Sequence, residues 1–232
     1  MTTKLNLPPK SRRPAQRPAM FVELAGRYPT THGGITAAVN ALAEGYGTFI
    51  DQCQKTNADA TQNEAARLVR NAKRAHAKFA PLIANLDSAS SEAAAISENL
   101  RGIAAATYCP ANPSYSACMR QQEIRAYFRS LPQTERLKLL DDARTAGDED
   151  TLIAVASVQS YLSQVPPQMQ EYVRDHLIQT HAPEEAATIK AISEQRAQAE
   201  QFRGLMLQSL ADLIDFQKAD ELIAAANDEL AA

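Results

Sequence analysis

The residues best placed for chemistry in this chain are two carboxylates and two histidines within a short stretch: Glu171, Asp175, His176 and His181. Glu171 and Asp175 are four positions apart, so on a helix both carboxylates would share one face, where they could bind a metal or move a proton. A di-iron bundle requires Glu-x-x-His motifs on paired helices, and the sequence contains none. His176 and His181 are five positions apart and point to different faces. We therefore interpret these groups as solvated side chains near a helix end.

The remaining sequence holds no recognisable catalytic motif: no glycine-rich phosphate loop, no GxSxG, no HExxH and no EF-hand spacing. Cys109 and Cys118 bracket a Pro-Ala-Asn-Pro loop, but no CxxC pair or nearby histidine accompanies them, so zinc is not supported. A disulfide between them is geometrically conceivable. The odd total of three cysteines favours two thiols in a reducing compartment. The sequence predicts neither an enzyme nor a cofactor.

Composition indicates what kind of scaffold carries these residues. Of 232 residues, 45% are hydrophobic, 6% are aromatic and only eight are glycine. Together with the abundance of alanine, this favours helices over strands, and we predict an all-α helical bundle. No apolar run approaches the ~20 residues that a membrane span requires. The basic N-terminus lacks the apolar region of a secretory signal, so we expect neither a span nor a signal.

Charge is distributed unevenly along the chain. Residues 1–20 contain five basic and no acidic residues, whereas residues 183–232 contain ten acidic and four basic residues. Four prolines in the basic segment favour extended backbone, and with little to bury the segment is not expected to fold alone. It is either a solubilising tail or an arm that lies across a neighbouring subunit or along phosphates. In the second case its partner-binding residues are Lys10, Arg12, Arg13 and Arg17.

An amphipathic helix is predicted over roughly residues 58–80. One face is apolar, and the opposite face carries a row of basic side chains, called here the basic stripe: Arg67, Arg70, Arg74 and Lys78. Like charges four residues apart repel by a few tenths of a kcal/mol per pair, so the basic stripe has a small folding cost. It is either a solvated face or a docking strip for phosphate or an acidic helix. Pro81 is expected to end or kink this helix, and another is predicted from Ser90 to Ala106.

Residues 120–165 show a succession of helix starts and stops. Ser130 is expected to cap one helix, Gly147 to end it in a left-handed conformation, and Asp148 to cap the next, which runs through Tyr161. The result is a helical hairpin with short loops. The run EIRAYFRSLP, followed by ERLKLL and AGDEDTLIAV, resembles a pattern in uncharacterised helical proteins of tailed-phage genomes and prophage regions. The resemblance implies a phage setting and brings no catalytic residues with it.

The last segment, from Pro183 to about Glu229, contains no interior proline and is predicted to form one long helix of ~65–70 Å at 1.5 Å per residue. Five large residues on one face form the apolar stripe: Ile192, Phe202, Met206, Leu210 and Leu213. Because this face is longer than the preceding helices can cover, we predict that the apolar stripe joins protomers in a homo-oligomer.

Four regions follow from these patterns: a basic arm (1–33), N-terminal helices (34–107), a hairpin region (108–182) and a long acidic C-terminal helix (183–232). The leading hypothesis is a non-catalytic structural component of a phage-like virion, located in the virion or in the bacterial cytoplasm before assembly. Its partners would be other virion proteins, with possible DNA contact through the arm. The alternative is a nucleic-acid-binding regulator, which the net charge of −3 disfavours.

Overall fold

The computed structural model describes residues 5–11, 14–110 and 113–231, and for residues 228–231 the backbone alone. Within these residues all regular structure is helical, which confirms the predicted all-α class. The helices are α1 (Pro18–Gly26), α2 (Gly33–Ala58), α3 (Glu64–Tyr108), α4 (Tyr115–Ser130), α5 (Gln133–Ala146), α6 (Glu149–Ala156), α7 (Ser160–Ser163), α8 (Pro167–His181), α9 (Pro183–Leu213) and α10 (Phe216–Ala231).

The chain forms two units. Unit 1 comprises the described residues up to Ala94 together with those from Ile192 onward, and unit 2 comprises Ala95–Ala191. The core of unit 1 is built on aromatic edge-to-face contacts. The ring of Phe21 lies 4.8 Å from that of Tyr46 and 5.5 Å from that of Phe202, and the rings of Phe49 and Phe79 are 5.4 Å apart. Such pairs stabilise a core beyond the area they bury.

Helix α2 packs closely against α3 at Gly45. A Cβ atom at this position would lie 2.9 Å from Cδ1 of Leu82, a distance at which one of the two must move. Glycine therefore permits the close helix approach, since any larger residue at this position would require the end of the Leu82 side chain to move.

Unit 2 has a core of its own. Its fully or almost fully buried side chains include Phe128 of α4, Leu140 of α5, Leu152 of α6 and Leu177 of α8. The local signals predicted for this region are confirmed at two positions. Gly147 has a φ of +69°, and Asp148 caps α6 by accepting a hydrogen bond from the backbone N–H of Thr151 at 3.2 Å.

Several helix boundaries differ from those predicted. Helix α6 ends at Ala156 instead of running through Tyr161, and the two helices expected over residues 58–80 and Ser90–Ala106 are one helix, α3. The expectation that Pro81 ends a helix is wrong, because α3 continues through it to Tyr108. An interior proline costs about 3 kcal/mol. Burial of Phe79, Ile83 and Leu86 around it offsets that cost at ~1.5–3 kcal/mol per side chain. Ser130 does not cap α5, since Pro132 holds the N-cap position.

The predicted single C-terminal helix is divided in two. Helix α9 ends at Leu213, and the carboxylate of Asp215 caps α10 by accepting the backbone N–H of Lys218 at 3.0 Å. Ile214 between them is buried, so the break directs an apolar side chain into the core of unit 1.

The N-terminal arm also differs from the prediction. The region predicted to be an extended arm, residues 1–33, contains helix α1, which buries Phe21 completely.

Candidate interaction surface

The N-terminal arm lies on unit 1 of its own chain. The backbone N–H and hydroxyl of Ser11 donate to the two carboxylate oxygens of Asp212 on α9, at 2.6 and 2.8 Å. Next to this contact, the side chain of Gln208 donates to the carbonyl of Pro9 at 3.2 Å. The described part of the arm is therefore not a tail in solvent, since it lies on its own chain, whereas its contact with a neighbour or with phosphates stays a prediction.

Further hydrogen bonds extend this attachment along the arm. The N–H of Leu5 donates to Nδ1 of His76 at 3.1 Å, and the hydroxyl of Tyr46 donates to the carbonyl of Gln16 at 3.0 Å. Of the arm's predicted partner-binding residues, Lys10 and Arg17 are exposed, whereas Arg12 and Arg13 lie outside the described residues.

The environment of Asp212 favours its charged form. Desolvation raises the pKa of this carboxyl group, but the hydrogen bonds from Ser11 and Gln208 and the charge of Lys10 outweigh it. The pKa of Asp212 therefore lies below its ordinary value of 3.8. The ionised carboxylate is the form that holds the arm.

The basic stripe is partly used inside the chain. Nη1 of Arg67 donates to the carbonyl of Asn57 at 2.6 Å, and Nη1 of Arg74 donates to the hydroxyl of Thr56 at 2.6 Å. Both acceptors belong to the last turn of α2, where cations stabilise the negative end of the helix dipole. Arg67 and Arg74 thus have a structural role within the chain, and their binding of a partner stays a prediction. Arg70 is exposed, and Lys78 is half-buried.

The apolar stripe is not available to another subunit. Ile192 and Phe202 are each 3% exposed, Met206 and Leu210 are fully buried, and Leu213 is half-buried. The prediction that these residues form an oligomer interface is therefore wrong. The N-terminal segment that sequence reasoning treated as an arm supplies Phe21, whose ring packs on Phe202.

The carboxylates singled out from the sequence form an ion cluster on unit 2. Nη1 of Arg101 lies 2.9 Å from Oε1 of Glu171 and 2.5 Å from Oδ1 of Asp175. Of the two histidines, His181 packs its ring 6.0 Å from that of Tyr108, and His176 lines a separate small groove.

Among the described residues no group of histidine, cysteine and carboxylate side chains could hold a metal ion. Cys109 and Cys118 are unpaired.

The feature that sequence reasoning missed is the exposure of tyrosine on unit 2. Four of the chain's seven tyrosines are more than half exposed, all of them in unit 2: Tyr115 (81%), Tyr127 (58%), Tyr161 (68%) and Tyr172 (51%). Met119 and Leu162 of the same unit are each 40% exposed. The sequence signal that could have indicated this surface is residues 151–170, which contain no charged residue.

Tyr161 and Leu162 belong to a segment whose backbone is fixed by side chains. We call residues 154–164 the anchored segment. Arg129 of α4 donates to the carbonyl of Leu162 at 2.7 Å, and Arg174 of α8 donates to that of Ala156 at 3.0 Å. Further donors are Arg125 to Ala154, Arg136 to Gln164, and Gln170 to Val155 and Val158.

Among the residues that the structure describes, Gln164 of the anchored segment is the non-glycine residue with a positive φ, at +56°, directly after α7. A left-handed conformation costs about 1 kcal/mol or more for such a residue, and the bond from Arg136 to its carbonyl helps to hold it. The segment is therefore a fixed loop that presents Tyr161 and Leu162 to solvent.

Comparisons of the chain with protein-family models, with curated proteins and with solved structures found no match. In the part of the chain that the structure describes, no helix has the length and apolar character needed to cross a membrane.

Proposed function

We propose that the protein is a non-catalytic structural component that joins neighbouring proteins in an assembly, and that this assembly is a phage-like virion. The observation that carries the proposal is the concentration of exposed tyrosines on unit 2. Tyrosine, methionine and arginine are enriched in protein–protein interfaces, and exposed apolar groups of this size cost free energy in water unless a partner covers them.

The phage setting is supported by the resemblance of residues 120–165, the segment that also carries Tyr127 and Tyr161. A protein held in a particle needs surfaces that recognise neighbours and needs no reactive groups. The carboxylates best placed for chemistry, Glu171 and Asp175, both form ion pairs with Arg101, and Glu171 also pairs with Arg174.

The regulatory alternative receives less support. Arg67 and Arg74 of the basic stripe bind the end of α2, which removes two of its four cations from a surface that could track phosphates. A nucleic-acid-binding regulator would depend on the exposed Lys10, Arg17 and Arg70.

The test is the composition of purified particles. Particles released from a host that carries the gene should contain this chain at a constant ratio to the major capsid protein, measured by mass spectrometry. The matched control is a host in which the gene is deleted. Recovery of the chain only in the soluble host fraction, with particles of normal composition and infectivity, would reject the virion assignment.

A further inference from the structure

Three of the arginines that bind the anchored segment have no carboxylate partner among the described residues. Arg125, Arg129 and Arg136 direct their hydrogen bonds to backbone carbonyls, and none of the three forms an ion pair with a carboxylate of the described chain. Partial burial, and then the like charge of Arg129, lower the pKa of Arg125. Because residues 151–170 carry no charge, nothing in the segment itself neutralises these guanidinium groups.

The same surface offers apolar contact area. Tyr161 and Leu162 project from the anchored segment, and α7 contacts α4, which carries the exposed Tyr127. A surface that combines fixed backbone, exposed aromatic rings and uncompensated arginines loses little entropy when it binds an acidic, partly apolar helix. The exposed aliphatic side chain of Leu162 favours a helix over a nucleic acid, because a helix can supply apolar side chains beside its carboxylates and a phosphate backbone cannot.

The chain itself contains a helix of the complementary kind. Residues 214–231 hold five acidic residues and one lysine. On α10, Glu221 is exposed and accepts a hydrogen bond only from the amide of Gln217 at 3.2 Å, so its charge is kept. The following residues Ala224, Ala225 and Ala226 are also exposed, and their small side chains allow close approach of another surface.

We propose that the anchored segment, with Tyr127, Tyr161, Leu162 and Arg129, binds the acidic helix α10 of a second copy of this chain. The two surfaces differ, so the contact is heterologous. Repeated from copy to copy it builds a ring or a filament, and made reciprocally by two copies it gives a closed dimer. This inference rests on the proposed assembly function and identifies a second copy of the chain as the binding partner.

The first experiment titrates a synthetic peptide of residues 214–231 into the full chain and measures binding by calorimetry. We expect affinity to fall by about tenfold or more between about 0.05 M and about 0.5 M salt, because the contact is electrostatic. Tyr161→Ala and Arg129→Gln should each weaken binding by about tenfold. Tyr161 makes none of the bonds that fix the segment, so its truncation leaves the fold intact.

The matched control is Tyr172→Ala, which removes an equally large exposed ring of unit 2 on α8, away from the anchored segment. It should leave peptide affinity unchanged. Equal loss in Tyr161→Ala and Tyr172→Ala would overturn the assigned site. Binding of a single-stranded oligonucleotide that the Tyr161 variant abolishes, with no binding of the peptide, would overturn the choice of partner.

The second experiment is sedimentation of the full chain at low salt. Wild type should form dimers or larger species at about 0.1 mM, and Tyr161→Ala should remain monomeric. A monomeric wild type under these conditions overturns the inference. It does not bear on the presence of the chain in particles, so failure here is distinct from failure of the proposed function.

Discussion

The buried side chain of Gln195 holds the backbone of His32 by two hydrogen bonds. Its Oε1 accepts the N–H of His32 at 2.7 Å, and its Nε2 donates to the carbonyl of the same residue at 3.2 Å. The amide also donates to the carbonyl of Pro29 at 2.7 Å, and Tyr28 donates to the carbonyl of Gln195 at 2.6 Å. One glutamine of α9 thus fixes the turn between α1 and α2.

Replacing Gln195 with Met keeps its volume but leaves the backbone N–H of His32 without a partner, whereas the carbonyls of Pro29 and His32 still accept hydrogen bonds from Thr36. Since a buried unpaired group costs about 1–3 kcal/mol, we expect the free energy of unfolding to fall by about 1–3 kcal/mol in urea denaturation. Gln198→Met, at an exposed position one turn along the same helix, should change it by less than about 0.5 kcal/mol. Equal stability of the two variants would contradict the role of Gln195.

The attachment of the arm should depend on pH. Because the pKa of Asp212 is lowered in the folded chain, its contribution to stability is present above the ordinary carboxyl pKa and is lost as pH falls through the folded value. The difference in melting temperature between wild type and Asp212→Ala should therefore be constant near neutral pH and shrink below about pH 4. A constant difference down to about pH 2.5 would show that the Asp212 charge is irrelevant to the arm.

The basic stripe should divide into structural and solvated members. Arg74→Gln removes the donor to Thr56 at the end of α2, and we expect a loss of about 1 kcal/mol in unfolding free energy. Arg70→Gln, an exposed neighbour on the same helix, should be within about 0.5 kcal/mol of wild type. If instead Arg70→Gln is the more destabilising change in urea denaturation, the assignment of roles is wrong.

The apolar stripe should behave as the core of unit 1. Phe202→Ala removes a ring that packs on Phe21 and is expected to cost about 3–5 kcal/mol. Leu205→Ala, at a side chain of the same helix that is 44% exposed, should cost far less. Thermal denaturation of both variants provides the comparison. A Phe202 variant with wild-type melting temperature but a changed oligomeric state would restore the interface that the sequence suggested.

Local chemistry explains what the sequence determined by itself. The all-α class follows from residue propensities, and the stop at Gly147 with the start at Asp148 depends on a few adjacent residues. These features need no knowledge of distant contacts, because a left-handed glycine and an aspartate cap act on their own turn of backbone. The amphipathic faces of α3 and α9 are local in the same sense, since periodicity alone defines which side is apolar.

Only the tertiary structure decided what those faces contact. Periodicity places Phe202 on an apolar face but does not say that Phe21, 181 positions earlier in the chain, covers it. It likewise places Arg74 on a basic face without showing the end of α2 beside it. Helix α3 continues through Pro81 and α9 ends before Asp215 because burial of neighbouring side chains outweighs the local preference of the backbone. The exposure of Tyr161 also depends on the tertiary structure. Arginines from α4, α5 and α8 fix the backbone around Tyr161, and these arginines are too far apart in the sequence to form one local pattern.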